Sequence, residues 1–159
     1  MERRVLIVIA LILAAVFLIV LFAIDCAGAE DMFILCKPGS TVNIRNRPRK
    51  DAAVVAWIEC GQRVQTDGKE KGGFVHVVNL PSEITEGWIF AGYVADEEPV
   101  IREYTAEVWE GDVIARSSMG GKRVCKLKEG KTVTVYAKTH SWAVTSRGYI
   151  LCDWLKEVE

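Results

Sequence analysis

VNIRNRPRKDAAVVAWIECGQRV, residues 42–64, returns further along the chain as VIARSSMGGKRVCKLKEGKTVTV, residues 113–135. The likeness lies in pattern more than identity. Each copy has a short branched run ending in Arg45 or Arg116, then a polar turn, then apolar residues leading to Gly61 or Gly130. Downstream, GFVHV at 73–77 answers SWAVT at 141–145, and EGWIFAGYV at 86–94 answers GYILCDWL at 148–155. Val42 and Val113 are 71 residues apart but Gly87 and Gly148 only 61, so the first copy carries an extra loop around 79–86. The same motifs met twice in the same order mark a duplicated structural unit.

Within each copy the apolar residues fall in runs of four to seven, rich in Val, Ile and aromatics and divided by Gly, Pro, Asp and Lys. That is an all-β pattern. Val133, Val135 and Ala137 alternate with Thr132, Thr134 and Tyr136, which gives one core face and one outer face. A copy of about 55–60 residues supports only a small core, so closing its sheet into a barrel is the economical way to remove exposed edges. The expected fold class is all-β: two tandem small SH3-like β-barrels behind one N-terminal hydrophobic helix.

The succession VNIRNRP, VVAWIECGQRV, GFVHV and EGWIFAGYV resembles the bacterial SH3 domain. That family's usual order is a Leu-Asn-Val-Arg strand, a Gly-bounded turn, a Gly-Trp strand and a closing Gly-Trp-Val with Tyr-Leu. Residues 32–95 follow the pattern, residues 96–104 read as an acidic linker, and residues 105–158 follow it with departures. Ala115 replaces the branched residue before the arginine, SSM at 117–119 stands where the first copy has NRP, and Tyr149 stands for Trp. The resemblance implies a barrel of five to seven strands that accompanies cell-wall enzymes and binds wall components or peptides, with no catalysis of its own.

Ahead of the repeats, residues 5–24 are twenty consecutive Val, Leu, Ile, Ala and Phe, with Arg3 and Arg4 before them and Asp25, Glu30 and Asp31 after. Such a run is long enough to cross a hydrocarbon core of about 30 Å as a helix. The flanking charges put the N-terminus inside and the repeats outside. Ala27-Gly28-Ala29 is also a signal-peptidase pattern, so residues 1–29 are either a retained membrane anchor or a cleaved signal peptide. Asp25 ahead of Cys26 argues against a lipoprotein. Export agrees with the cysteines, since Cys36, Cys60, Cys125 and Cys152 form an even set. Four cysteines allow three connectivities. Pairing within copies is expected, Cys36 with Cys60 and Cys125 with Cys152, because each bridge then staples one small core. The spacings of 24, 65 and 27 residues contain no C-x-x-C, and with only His76 and His140 available no metal site is expected.

Beyond Ala29 eighteen basic residues (the chain's 20 less Arg3 and Arg4) meet nineteen acidic ones (21 less Glu2 and Asp25). Near-neutrality argues against a general polyanion binder, and no nucleic acid is expected as partner. The basic residues are nonetheless clustered, with Arg47, Arg49 and Lys50 after the first strand of one copy and Lys122, Arg123 and Lys126 at the same place in the other. These six, with Trp57, Tyr93 and Trp154 as partly exposed aromatics, are the candidate ligand contacts. Phe74, Trp88, Trp142 and Tyr149 read as core, and Arg45 and Arg116 as residues that fix the strand end. A cysteine and a histidine nominally offer a nucleophile and base, but two barrels consume almost all the chain outside its N-terminus. The function expected is non-catalytic binding outside the cytoplasm, without cofactor, of a cell-wall polymer or peptide. The alternative is a membrane-anchored ectodomain that recognises a partner protein.

Overall fold

The computed structural model describes residues 29–80 and 84–158. The apolar run at 5–24, and the anchor or signal expected there, lie outside the described residues. Among the described residues no helix is long and apolar enough to cross a membrane.

The first unit comprises β1 (Glu30–Ile34), β2 (Thr41–Arg45), β3 (Val54–Glu59), β4 (Arg63–Lys71), β5 (Phe74–Val78), β6 (Glu86–Phe90) and β7 (Val94–Ala95), with a 3₁₀ turn at Ala91–Tyr93. The second comprises β8 (Val100–Val108), β9 (Val113–Arg116), β10 (Arg123–Leu127), β11 (Thr132–Lys138), β12 (Trp142–Thr145), β13 (Gly148–Leu151) and β14 (Leu155–Glu157), with a 3₁₀ turn at Cys152–Trp154. Strand order is β3-β2-β6-β5-β4-β1-β7 in one sheet and β10-β9-β13-β12-β11-β8-β14 in the other, so the two units share one antiparallel topology. Residues 100–104 of the expected acidic linker belong to β8, which pairs with β11 as far as Val100↔Lys138 and leaves residues 96–99 as the connection.

Each sheet encloses its own core. Ile34, Ile44, Ile58, Val64, Val77, Ile89 and Val94 come from all seven strands of the first sheet yet pack as one cluster, which a flat sheet does not allow. In the second, Val108, Val113, Leu127, Val133, Val135, Ala143 and Ile150 come from six strands and pack as one cluster, with Leu155 of the seventh against it. Val133, Val135 and Ala137 are buried between the more exposed Thr132, Thr134 and Tyr136, as their alternation predicts. The recurring glycines 61 and 130 have φ of +80° and +78° and donate their amides to Ile34 and Val108 at 2.7 and 2.8 Å. A side chain there would strain the turn into the next strand. The recurring arginines act alike: Arg45 donates to the Ala52 carbonyl at 2.6 Å and Arg116 to the Gly121 carbonyl at 2.9 Å. Each guanidinium fixes the loop that carries its unit's basic residues.

One acidic group supports the first sheet at the β4 bulge. Asp67 lies 3.0 Å from His76 Nδ1, and its carboxyl is held down to about 2, chiefly by a hydrogen bond from Lys69. A carboxylate with a depressed folded-state value contributes stability above its unfolded value, and the contribution is lost as pH falls through about 2. Amide exchange in β4 and β5 should therefore accelerate as pH drops from about 4 towards 2 after correction for intrinsic rates, and Asp67→Asn should abolish that pH-specific change. Identical profiles for the two proteins would remove Asp67 from the account.

Candidate functional site

The two sheets are packed on each other. Leu35 and Ala95 of the first unit and Ala137, Val144 and Tyr149 of the second form a third buried cluster, with Tyr93, Met119 and Trp142 against it. Leu35 follows β1 directly and is fully buried. Burying such a side chain is worth about 1.5–3 kcal/mol. The Tyr149 hydroxyl donates to the Leu35 carbonyl at 2.8 Å, and burial pushes this phenol well above its ordinary value. The Met119 amide donates to the Gly92 carbonyl at 3.0 Å, and the Lys37 ammonium stands 4.6 Å from the Tyr136 ring centre.

Beside these contacts the units leave a cleft of about 860 Å³. Lys37, Arg45 and Lys50 line it from the first unit and Lys122 from the second, and among the described residues no carboxylate does. Phe74, Phe90, Tyr93 and Tyr149 supply aromatic wall, and Ser40, Thr41, Asn43, Ser117, Ser118 and Thr145 supply hydroxyl and amide groups. The chain is nearly neutral as a whole, yet this concave surface carries one sign of charge. A cleft of that kind focuses the field and attracts anions.

The residues singled out from sequence divide. Lys50, Tyr93 and Lys122 meet at the cleft. Arg47, Arg49, Arg123 and Lys126 are exposed outside it, with Arg49 2.7 Å from Asp51 and Lys126 2.8 Å from Asp112. Trp57 stands 71% exposed on β3, an outer strand of its sheet. Trp154 lies in the 3₁₀ turn that corresponds to Tyr93 and is not among the residues that line the cleft. Lys37, Phe90 and Ser118 were not picked out as contacts, and Tyr149 was read as core, where it is indeed buried. Tyr149 had a visible signal in its departure from Trp, for its hydroxyl reaches a carbonyl of the other unit.

Cys36 and Cys60 are adjacent free thiols, with Cys60 Sγ 2.6 Å from the Cys36 carbonyl oxygen and 3.4 Å from the Cys36 amide. A hydrogen bond from the Cys36 thiol lowers Cys60 to about 7, while Cys36 is driven up. Cys125 and Cys152 are free too, and their sulfurs approach different carbonyls, those of Arg147 at 4.0 Å and Thr139 at 3.4 Å. His76 faces Asp67, Glu86 and Trp88, and among the described residues no imidazole hydrogen-bonds to a thiol. Among the described residues no group of three or more His, Cys, Asp or Glu is arranged to hold a metal ion.

Residues 40–95 match the family model of the bacterial SH3 domain. No curated protein matches the chain. Among solved structures it is similar to NlpC2 from Trichomonas vaginalis, with 19% identity and a TM-score of 0.35 over 82% of this chain and 48% of that one. NlpC1 from the same organism matches with 20% identity and a TM-score of 0.34 over 81% and 46%. The chain spans about half the length of either.

Proposed function

We propose, with residues 40–95 being a bacterial SH3 domain as premise, that the chain is a non-catalytic binding module acting outside the cytoplasm, and that it holds bacterial cell-wall material in the cleft between its units. The observation that carries this reading is the lining: among the described residues, four cations, no carboxylate and an aromatic wall in one concavity of about 860 Å³. That is within the size range of sites for small ligands or short polymer segments. Residues 1–29 would keep the module at the membrane or direct its export. The test is retention of the full-length chain, in mild detergent, on purified wall sacculi. Lys50→Gln combined with Lys122→Gln should cut retention several-fold and flatten its salt dependence, because two counter-charges leave the cleft. Arg47→Gln with Arg49→Gln, outside the cleft, should change it little. Retention unmoved by the first pair would sink the cleft as the binding site.

One observation favours a second reading, recognition of a peptide from a partner protein. β3 is the end strand of its sheet, with no strand on its outer side among the described residues, and it carries Trp57 at 71% exposure and Val54 at 46%. An extended peptide adding to this edge would find hydrogen bonds and an aromatic anchor. Trp57→Ala that leaves sacculus retention intact but abolishes capture of a partner would select this reading.

A further inference from the structure

Cys36 and Cys60 lie on the two segments of the first unit that carry the second. Cys36 sits between Leu35, whose carbonyl accepts the Tyr149 hydroxyl at 2.8 Å, and Lys37, whose ammonium is 4.6 Å from the Tyr136 ring centre. Cys60 precedes Gly61, and a methyl group on Gly61 would come within 2.8 Å of Cδ1 of Ile101 in β8. The Cys60 sulfur reaches across from one segment to the other, 3.4 Å from the Cys36 amide and 2.6 Å from its carbonyl oxygen. Each thiol is therefore one residue away from a contact with the second unit.

The second unit shows that the fold itself does not require this pair. Gly61 donates to Ile34 as Gly130 donates to Val108, which makes Glu110 the counterpart of Cys36 and Glu129 that of Cys60. Both glutamates are exposed, on a face that no unit covers among the described residues. A pair needed only to staple a small barrel would serve both copies, whereas these thiols stand where a neighbour is seated.

We infer that Cys36 and Cys60 are a thiol–disulfide exchange site that controls how firmly the two units dock, with a low-molecular-weight disulfide such as glutathione disulfide as oxidant. Cys60, the less buried of the two, attacks one sulfur of the oxidant and forms a mixed disulfide, and the glutathione expelled takes up the proton that Cys60 gives. Cys36 then gives its own proton to the second glutathione as it attacks Cys60 Sγ and expels it. The two thiols lose two protons and two electrons, and one glutathione disulfide becomes two glutathiones. The new bond fixes the spacing of the two segments before the second unit settles on them, so less freedom is lost on docking. In the reduced chain the seat is looser and the units part more often, opening the cleft between them. This control operates whatever the cleft holds.

Amide exchange of the full-length chain in micelles, oxidised with glutathione disulfide or reduced with a phosphine, tests it. The Met119 amide reports docking, since its acceptor at 3.0 Å is the Gly92 carbonyl of the first unit. Amides of β12 and β13, paired within the second unit, report the opening of that unit by itself. Oxidation should slow Met119 by about tenfold, the effect of ordering a few side chains in advance, and leave β12 and β13 unchanged. Peptide maps of the slowed sample should show Cys36 joined to Cys60. Cys36→Ser should stop at one glutathione held on Cys60, and Cys60→Ser should exchange Met119 at the same rate in both conditions. A bridged chain in which β2 and β5 slow but Met119 does not would make the bond a staple of the first unit and overturn the inference. Slowing of β12 and β13 in step with Met119, or glutathione held in Cys36→Ser on a cysteine other than Cys60, would overturn it too.

Discussion

Gly148→Ala should unfold the second unit at temperatures where the native chain is stable, with a loss of several kcal/mol. Gly148 opens β13 with φ of +120°, and a methyl group there would sit 2.4 Å from the carbonyl oxygen of Arg116. That oxygen belongs to a neighbouring strand, since Tyr149 pairs with Arg116 as the register contact joining β13 to β9, so relief means moving the sheet. Backbone strain of this kind costs on the order of 1–3 kcal/mol before any clash. Gly111 separates the two effects, because its φ is +107° yet nothing lies within 4 Å of an added methyl. Gly111→Ala should show the strain alone and Gly148→Ala strain plus collision, a further drop of roughly 10 °C in melting temperature for a domain of this size. Gly87→Ala should fall between them, since its nearest obstacle is the Ile44 methyl at 2.4 Å, a side chain that can turn, with the Arg45 carbonyl at 3.2 Å. Equal melting temperatures for Gly148→Ala and Gly111→Ala would show that the collision is relaxed away.

Under oxidising conditions Cys36 and Cys60 should join, and the bridge should raise the melting temperature by on the order of 10 °C over the reduced chain. The two lie 24 residues apart in sequence and meet in the fold. Closing a loop of that length stabilises by about 3 kcal/mol in the chain-entropy account, if unstrained. The reaction removes two protons and two electrons, taken up by an added oxidant such as glutathione disulfide. Its rate should climb as pH rises through about 7, where Cys60 becomes the attacking thiolate. Non-reducing peptide maps read the connectivity directly. Cys60→Ser should erase the redox dependence of melting. Should it persist in that variant, another pair is responsible, and the expected Cys125–Cys152 bridge becomes the one to examine.

The repeat was legible because strand order is written in local motifs: a branched run, a glycine turn, an aromatic after a glycine, each met twice. Both cores follow from those runs. The site was half legible. Basic residues at matching places in both copies pointed to Lys50 and Lys122, but sequence cannot say which members of a charged loop turn inward and which find a carboxylate beside them. Arg49 and Lys126 looked equally good and are paired with Asp51 and Asp112. The docking of one unit on the other is long-range packing, and its marks in the sequence are the second copy's departures from pattern. Ser118, Met119 and Tyr149 differ from their counterparts Arg47, Pro48 and Trp88, and all three lie where the units meet. Divergence there adapts a surface to a neighbour that the first copy's equivalent surface does not have.

The units are stacked head to tail, because different faces of the same fold meet. Leu35 donates its amide to the Tyr93 carbonyl at 2.9 Å, and Trp109 donates to the Trp154 carbonyl at 3.1 Å, which makes Leu35 and Tyr93 the counterparts of Trp109 and Trp154. In the first unit that face is covered by the second; in the second it is open, with Trp109 45% and Trp154 37% exposed. A heterologous contact has no closing symmetry, so a stack built this way ends only where the exposed face changes character. Here small Leu35 gives way to bulky Trp109, with the Lys156 ammonium over its ring at 5.2 Å. That pairing leaves a charge and a large ring on the face which, in the first unit, is the apolar seat of its neighbour.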